Sequence, residues 1–200
     1  MPLKQAVLPL LDEVSPLAAA TGAANTVLLG DGRRRGDNTD VHGITAALRE
    51  AGVASAGRAV VLGGGATAAS ALAALADLGC PDAVVLVRSA ARAAPLVEAA
   101  RRLGLAPEVR EGLTALPPAD VVVATTPAGA LDGAGLRGDG VLLDVVYAPW
   151  PTRLAAGWGG PVVGGAVMLL HQAARQVELM TGRPAPLAAM RAALDPALLP

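Results

Sequence analysis

The sequence is poor in several residue types, and each shortage excludes something. It has 200 residues with a single cysteine, Cys80, so neither an internal disulfide nor a multi-cysteine zinc site can form. Charged residues make up only 16% against 53% hydrophobic, which excludes an intrinsically disordered chain. The mean hydropathy is +0.49, yet Asp, Arg, Gly or Pro interrupts every apolar stretch before it could span a membrane. Met1 to Gln5 shows no charged segment leading into an apolar one, so no secretory leader is expected. A net charge of −1 and a pI of 6.1 leave no electrostatic footprint for nucleic acid. The length suits one domain, or one and a fraction.

Lysine is the scarcest basic residue. There are 15 Arg and one Lys, Lys4, beside 45 Ala, two Asn, one Tyr and no Phe. The plain reading of the Ala and Arg is codon bias in a GC-rich genome. Under that bias a solvated Lys readily becomes Arg, so a retained Lys suggests proton chemistry that Arg cannot perform.

Periodicity predicts a helix over 5–20, with Val7, Leu8, Leu10, Leu11 and Val14 on one face. A short strand follows over 25–29, then a turn at Gly30–Gly32 and a run of three arginines, Arg33 to Arg35, that reads as a solvated hairpin edge. Asn38, Thr39 or Asp40 could cap a helix over 41–51.

The clearest local pattern lies at 58–92. An apolar strand, Ala59 to Leu62, runs into Gly63-Gly64-Gly65-Ala66-Thr67-Ala68, then an Ala/Leu helix over 69–78 and a second apolar strand, Ala83 to Val87. Strand, glycine turn, helix, strand is the context that a dinucleotide fingerprint requires, here in the form G-x-G-x-x-A. Gly63 allows the tight turn, Gly65 allows close approach of a pyrophosphate, and the helix N-terminus offers unpaired N–H groups. No acidic residue stands at the end of the second strand to receive a ribose 2′-hydroxyl. Arg88, Ser89 and Arg92 stand there instead. Guanidinium forks suit a 2′-phosphate, which favours NADP; the alternative is that both arginines are merely solvated. Strands over 119–124 and 141–146, a short one over 106–109, and helices over 93–103, 167–180 and 186–194 extend the α/β alternation. His171 reads as structural or solvated.

Several segments together resemble the shikimate dehydrogenase family. Met1-Pro2-Leu3-Lys4 is similar to the end of its V-T-x-P-x-K motif, and Gly22-Ala23-Ala24-Asn25-Thr26 to G-A-x-N-T. Gly36 to Gly43 is similar to G-x-N-T-D-x-x-G, Val61 to Gly65 to the nucleotide loop, Asp144 to Thr152 to D-x-x-Y-x-P-x-x-T, and Gly165 to Gln172 to G-x-x-M-L-x-x-Q. The motifs come in the family's order and span residues 1 to about 182.

The resemblance implies an α/β protein, a Rossmann-like doubly wound parallel sheet with an incomplete N-terminal α/β substrate domain. Residues 1–40 would be the remnant of that domain, 41–165 the NADP-binding domain and 166–200 helices returning to the substrate side. It implies NADPH-dependent reversible reduction of 3-dehydroshikimate to shikimate, in aromatic amino acid (chorismate) biosynthesis. Lys4 and Asp40 would be the catalytic pair, and Asn25, Tyr147 and Gln172 would bind substrate. Gly63, Gly64, Gly65, Ala66, Thr67, Arg88, Ser89, Arg92, Thr126, Val145, Gly165 and Met168 would hold the cofactor, with no metal. The protein would be a cytoplasmic monomer or homodimer with no nucleic acid or membrane partner.

Three departures from the family pattern stand out. The family carries, ahead of V-T-x-P-x-K, a segment with a Ser-x-Ser pair for the substrate carboxylate; this chain begins inside the motif, so the expectation is that it binds NADP(H) and turns shikimate over poorly or not at all. Ala66 and Ala69 replace a loop Gly and a loop Arg. Val87 stands where Asn often precedes the phosphate-binding Arg. Two alternatives remain open: a non-catalytic NADP(H)-binding fragment or pseudoenzyme, and a quinate/shikimate dehydrogenase using NAD.

Overall fold

The computed structural model describes residues 3–80 and 82–194. Met1 and Pro2 of the first motif therefore lie outside the described residues. The chain opens with α1 (Leu3–Ala6), β1 (Glu13–Val14), α2 (Pro16–Thr21), β2 (Thr26–Gly30), β3 (Arg33–Asp37) and α3 (Thr39–Glu50). In a small sheet of order β1-β3-β2, β2 and β3 form the predicted hairpin and β1 lies parallel to β3.

The single helix predicted over 5–20 does not form. A 3₁₀ turn at Leu8–Leu10 contains Pro9, and Pro16 at the first turn of α2 leaves Ser15 extended. Between the two prolines the backbone donors go to the sheet: Asp12 N to Arg34 O and Ser15 N to Gly36 O, both at 2.9 Å. Asp12 also receives the Arg34 guanidinium, which holds its carboxyl down at about 2. Ser15 Oγ accepts from Ala18 N and starts α2, which ends at Gly22 in the left-handed region.

The larger sheet is built from β4 (Arg58–Leu62), α4 (Ala66–Asp77), β5 (Asp82–Val87), α5 (Ala94–Arg102), β6 (Glu108–Glu111), β7 (Val121–Ala124), β8 (Val141–Asp144), α6 (Arg153–Ala156), β9 (Val162–Gly164), α7 (Gly165–Thr181) and α8 (Leu187–Ala192). Its six strands are all parallel, in the order β6-β5-β4-β7-β8-β9. Taken in chain order this is 3-2-1-4-5-6, the doubly wound arrangement that reverses direction between its first and fourth strands, here β4 and β7.

Val60, Val61, Leu62, Val85, Val121, Val122, Val123, Leu142 and Leu143 are buried, as strands covered on both faces require. One face packs on α3, α4, α5 and α7 through residues such as Ile44, Leu48, Leu72 and Leu75; the other packs on Leu136, Leu154 and Trp158. Each fully buried Leu or Ile contributes roughly 1.5–3 kcal/mol.

Three boundaries differ from the expectation in ways that matter below. α4 starts at Ala66, three residues early, because Gly65 serves as its N-cap. β8 ends at Asp144, so Val145 and Val146 leave the sheet. β6 is displaced to Glu108–Glu111, where Val84 pairs with Glu108. α6 and β9, of four and three residues, escaped prediction because such short elements carry no periodicity.

α3 packs most extensively on α7. Gly43 makes their close approach possible: a Cβ there would stand 2.8 Å from Met168 O and 3.0 Å from Gln172 Cβ. That crossing brings Asp40, at the start of α3, toward Gln172 on α7. Among the described residues no helix is long and apolar enough to cross a membrane.

Candidate active site

Asn38 caps α3, its Oδ1 accepting from Asp40 N at 3.1 Å. Its own amide is anchored on Thr21 Oγ1 and Ser70 Oγ, tying the small sheet to α4. Asp40 is thereby held in the first turn, 1% exposed. The predicted alternative, that Asp40 is the cap, gives way: its carboxylate points outward from the helix and pairs with Lys4 Nζ through Oδ2.

Asn25 fixes the other oxygen. Asn25 Nδ2 donates to Asp40 Oδ1 at 2.7 Å and to Gln172 Oε1 at 3.3 Å. Its Oδ1 accepts from Thr26 Oγ1 at 2.9 Å and Thr39 N at 2.9 Å, so a backbone donor settles which way the amide faces. Lys4 is held through its own backbone, its carbonyl accepting from Ala24 N at 2.8 Å. The arrangement is a buried carboxylate saturated on both oxygens, beside an ammonium whose side chain is 20% exposed.

This cluster lines a cavity of about 330 Å³ that Tyr147, Gln172, Gln176, Gly165 and Met168 also face. All five residues predicted for catalysis and substrate contact, Lys4, Asp40, Asn25, Tyr147 and Gln172, meet there. Gln176 was not predicted. It stands one turn beyond Gln172 and donates to Thr26 Oγ1 at 3.1 Å; glutamine occurs only at 5, 172 and 176 in this sequence, and the four-residue spacing from Gln172 could have found it.

A second cavity, of about 770 Å³, lies at the carboxyl ends of β4, β5 and β7, across the sheet's reversal point. Its size is that of a cofactor site. Gly63 to Thr67, Arg88, Ser89, Arg92, Thr126 and Val145, which the sequence assigns to a cofactor, line it together. Gly165 and Met168, also assigned to the cofactor by the sequence, border the smaller cavity, where α7 starts against Val145: a Cβ on Gly165 would collide with Val145 O. The two cavities share Lys4, Thr67 and Val145.

The residues present fit a dinucleotide phosphate. Gly63 has φ +113°, and a Cβ there would meet Thr125 Oγ1 at 2.6 Å, so only glycine makes this turn. Nothing lies within 4 Å of where a Cβ on Gly65 would be, which leaves space against the helix start. No side chain caps the first turn of α4, and while Ala68 N donates to Gly65 O, the N–H groups of Ala66 and Thr67 are available to an anion. Arg88 and Arg92 are exposed and form no ion pair among the described residues, which leaves both guanidinium forks open to a 2′-phosphate.

His171 is placed as predicted, outside both cavities: its Nε2 is hydrogen-bonded to Glu50 Oε2 at 2.8 Å, an oxygen that also accepts from Arg191. Burial raises the Glu50 carboxyl, but the bonds from His171 and Arg191 outweigh it and hold the group below its ordinary value. Burial pushes the Cys80 thiol up, and it lies outside both cavities.

Residues 165–194 match the family model described as the Shikimate 5'-dehydrogenase C-terminal domain. The shikimate dehydrogenase (NADP(+)) of Oleidesulfovibrio alaskensis is 40% identical over 214 residues, covering 99% of this chain and 74% of that protein. The crystal structure of Mycobacterium tuberculosis shikimate dehydrogenase superposes with a TM-score of 0.85 at 41% identity, over 97% of this chain and 77% of that one. The Thermus thermophilus shikimate 5-dehydrogenase, solved in complex with NADP(H) and shikimate, superposes with a TM-score of 0.80 at 34% identity, over 97% and 77%.

Proposed function

The chain belongs to the shikimate dehydrogenase family, and we propose that it carries out the reversible NADPH-dependent reduction of 3-dehydroshikimate to shikimate with Lys4 and Asp40 as its acid–base pair. The observation that supports this most directly is the position of the pair: Lys4 stands where the smaller cavity opens into the larger one. A substrate carbonyl in the first and a dinucleotide in the second would meet beside a charged donor.

A reduced nicotinamide held in the larger cavity would supply the hydride. The protein's own residues do the rest. Gly63 to Thr67 would cradle its phosphates, and Arg88, Ser89 and Arg92 would select the 2′-phosphate. The Lys4 ammonium hydrogen-bonds the ketone oxygen and gives it a proton as negative charge develops. Asp40 holds that ammonium in line, and Asn25 keeps Asp40 from turning away. In the oxidative direction the same pair takes the proton from the hydroxyl. Asn25, Gln172 and Tyr147 hold the ring hydroxyls and orient the reacting carbon. Of the described residues, 3–40 and 166–194 then form the substrate side and those between them the nucleotide side, with Tyr147 reaching across. A cytoplasmic location and a monomer or homodimer belong to the same proposal; fractionation and sedimentation check them.

The test is NADP+ reduction by the purified chain with shikimate, run beside NAD+ with quinate. Shikimate-dependent reduction that prefers NADP+ is expected, in place of the poor turnover that the sequence alone leads one to expect, because Lys4, Asp40 and Asn25 meet in the fold. NADP+ binding without turnover would return the non-catalytic alternative, and a preference for quinate with NAD+ would return the other.

A further inference from the structure

Asp144 and Thr152 stand at the two ends of the segment that carries Tyr147, yet neither lines either cavity. Asp144 is the last residue of β8 and is 3% exposed. Its Oδ2 accepts from Thr152 Oγ1 at 2.6 Å and its Oδ1 from Val146 N at 3.1 Å. Thr152 Oγ1 accepts in turn from Ala155 N at 3.1 Å, which caps α6, so the one hydroxyl proton is committed to Asp144.

No cation offsets this carboxylate among the described residues, and burial pushes its pKa up against the two hydrogen bonds it accepts. A buried charge without a counter-charge is costly. Asparagine would remove the charge, but it offers one acceptor oxygen where two donors arrive. What the carboxylate secures is geometry. It ties the start of the segment, at Val146, to its far end, at Thr152.

Between those ties lie the residues that face the site. Val145 borders both cavities, Val146 the larger and Tyr147 the smaller. Tyr147 is 47% exposed, so packing holds its ring only loosely and the backbone of the segment decides where its hydroxyl stands. We infer that Asp144, acting through Thr152 and Val146, is a positioning residue that sets Tyr147 against the substrate; the inference rests on the shikimate reading above.

The experiment compares Asp144→Asn, Thr152→Val and Thr152→Ser in the full chain, with Asp144→Asn also made in a Tyr147→Phe background. Asp144→Asn and Thr152→Val are expected to raise the KM for shikimate about 10-fold while kcat changes by less than about 3-fold. Thr152→Ser, which keeps the hydroxyl, should restore the KM. The Kd for NADP+, measured by calorimetry, should change less than about 3-fold, because of this segment only Val145 and Val146 border the larger cavity, while Arg88 and the glycine turn lie on other strands. In the Tyr147→Phe background the Asp144→Asn effect should fall to about 2-fold or less, since the two act through one contact. An unchanged KM in Thr152→Val, a parallel loss of NADP+ affinity, or effects that multiply with Tyr147→Phe would each overturn the inference while leaving the shikimate reading intact. A wild-type chain that neither binds nor oxidises shikimate would overturn both.

Discussion

Replacing Lys4 with arginine separates charge from proton transfer. Arginine keeps a cation beside Asp40 but does not release its proton near neutral pH. A positioned general acid contributes about 10²- to 10⁴-fold, or about 3–5 kcal/mol of barrier. If Lys4 donates the proton, Lys4→Arg and Lys4→Met should both lose that factor in kcat. Stability should separate the two variants. Asp40 is 1% exposed, and without Lys4 the Asn25 amide is the remaining side-chain donor to its carboxylate among the described residues. Removing one partner of a buried pair costs about 3–5 kcal/mol. Lys4 is 20% exposed, so solvent softens the loss in Lys4→Met to about 2 kcal/mol. Lys4→Arg retains the charge and should lose less. The assay is the absorbance of NADPH formed from NADP+ and shikimate, with thermal unfolding followed on the same samples. Lys4→Arg turning over within about 5-fold of wild type would refute proton donation and leave Lys4 an electrostatic role only.

Three further outcomes follow from the geometry. Arg88→Ala and Arg92→Ala should each weaken NADP+ binding about 10-fold, the lower end for a charge-assisted bond at an exposed site, and leave NAD+ binding unchanged by calorimetry. Gly63→Ala should cost about 1–3 kcal/mol in chemical denaturation and weaken NADP+ binding, because φ is +113° and the new Cβ would meet Thr125 Oγ1 at 2.6 Å. Glu50 sits below its ordinary value of 4.5, so it stabilises the fold above that pH and the contribution disappears as pH falls below it. Glu50→Gln should therefore flatten the acid side of the stability profile by about 0.5 kcal/mol, a small effect because the group is exposed; an acid limb steeper than wild type would contradict the sign.

The nucleotide half was legible because its signals are local. Leu62 to Ala68 already contains the strand end, the turn and the helix start, and Arg88 follows one strand later. Each step needs only the conformational freedom of glycine, the orphan N–H groups of a helix start and the shape of a guanidinium. The hairpin at 26–37 was legible for the same reason. The segment 5–20 was not: its apolar spacing fits a helix, but Pro9 and Pro16 cannot sustain one and β3 offers Asp12 and Ser15 better partners. Only the folded sheet makes those partners available.

Composition marked Lys4, and the motif resemblance named its role. Neither could show that Lys4 and Asp40, 36 residues apart, touch. That contact depends on Ala24 holding the Lys4 carbonyl, on Asn38 capping α3, and on Gly43 letting α3 lie close against α7. Gly165 and Met168 show the same limit, since their motif was visible but the cavity they border was set by where α7 starts. The sequence by itself determined the chemistry that was available: one lysine, a glycine turn, two arginines just beyond a strand. Tertiary structure decided which of these groups meet, because side-chain contacts at long sequence separation arise only when packed elements close the distance between them.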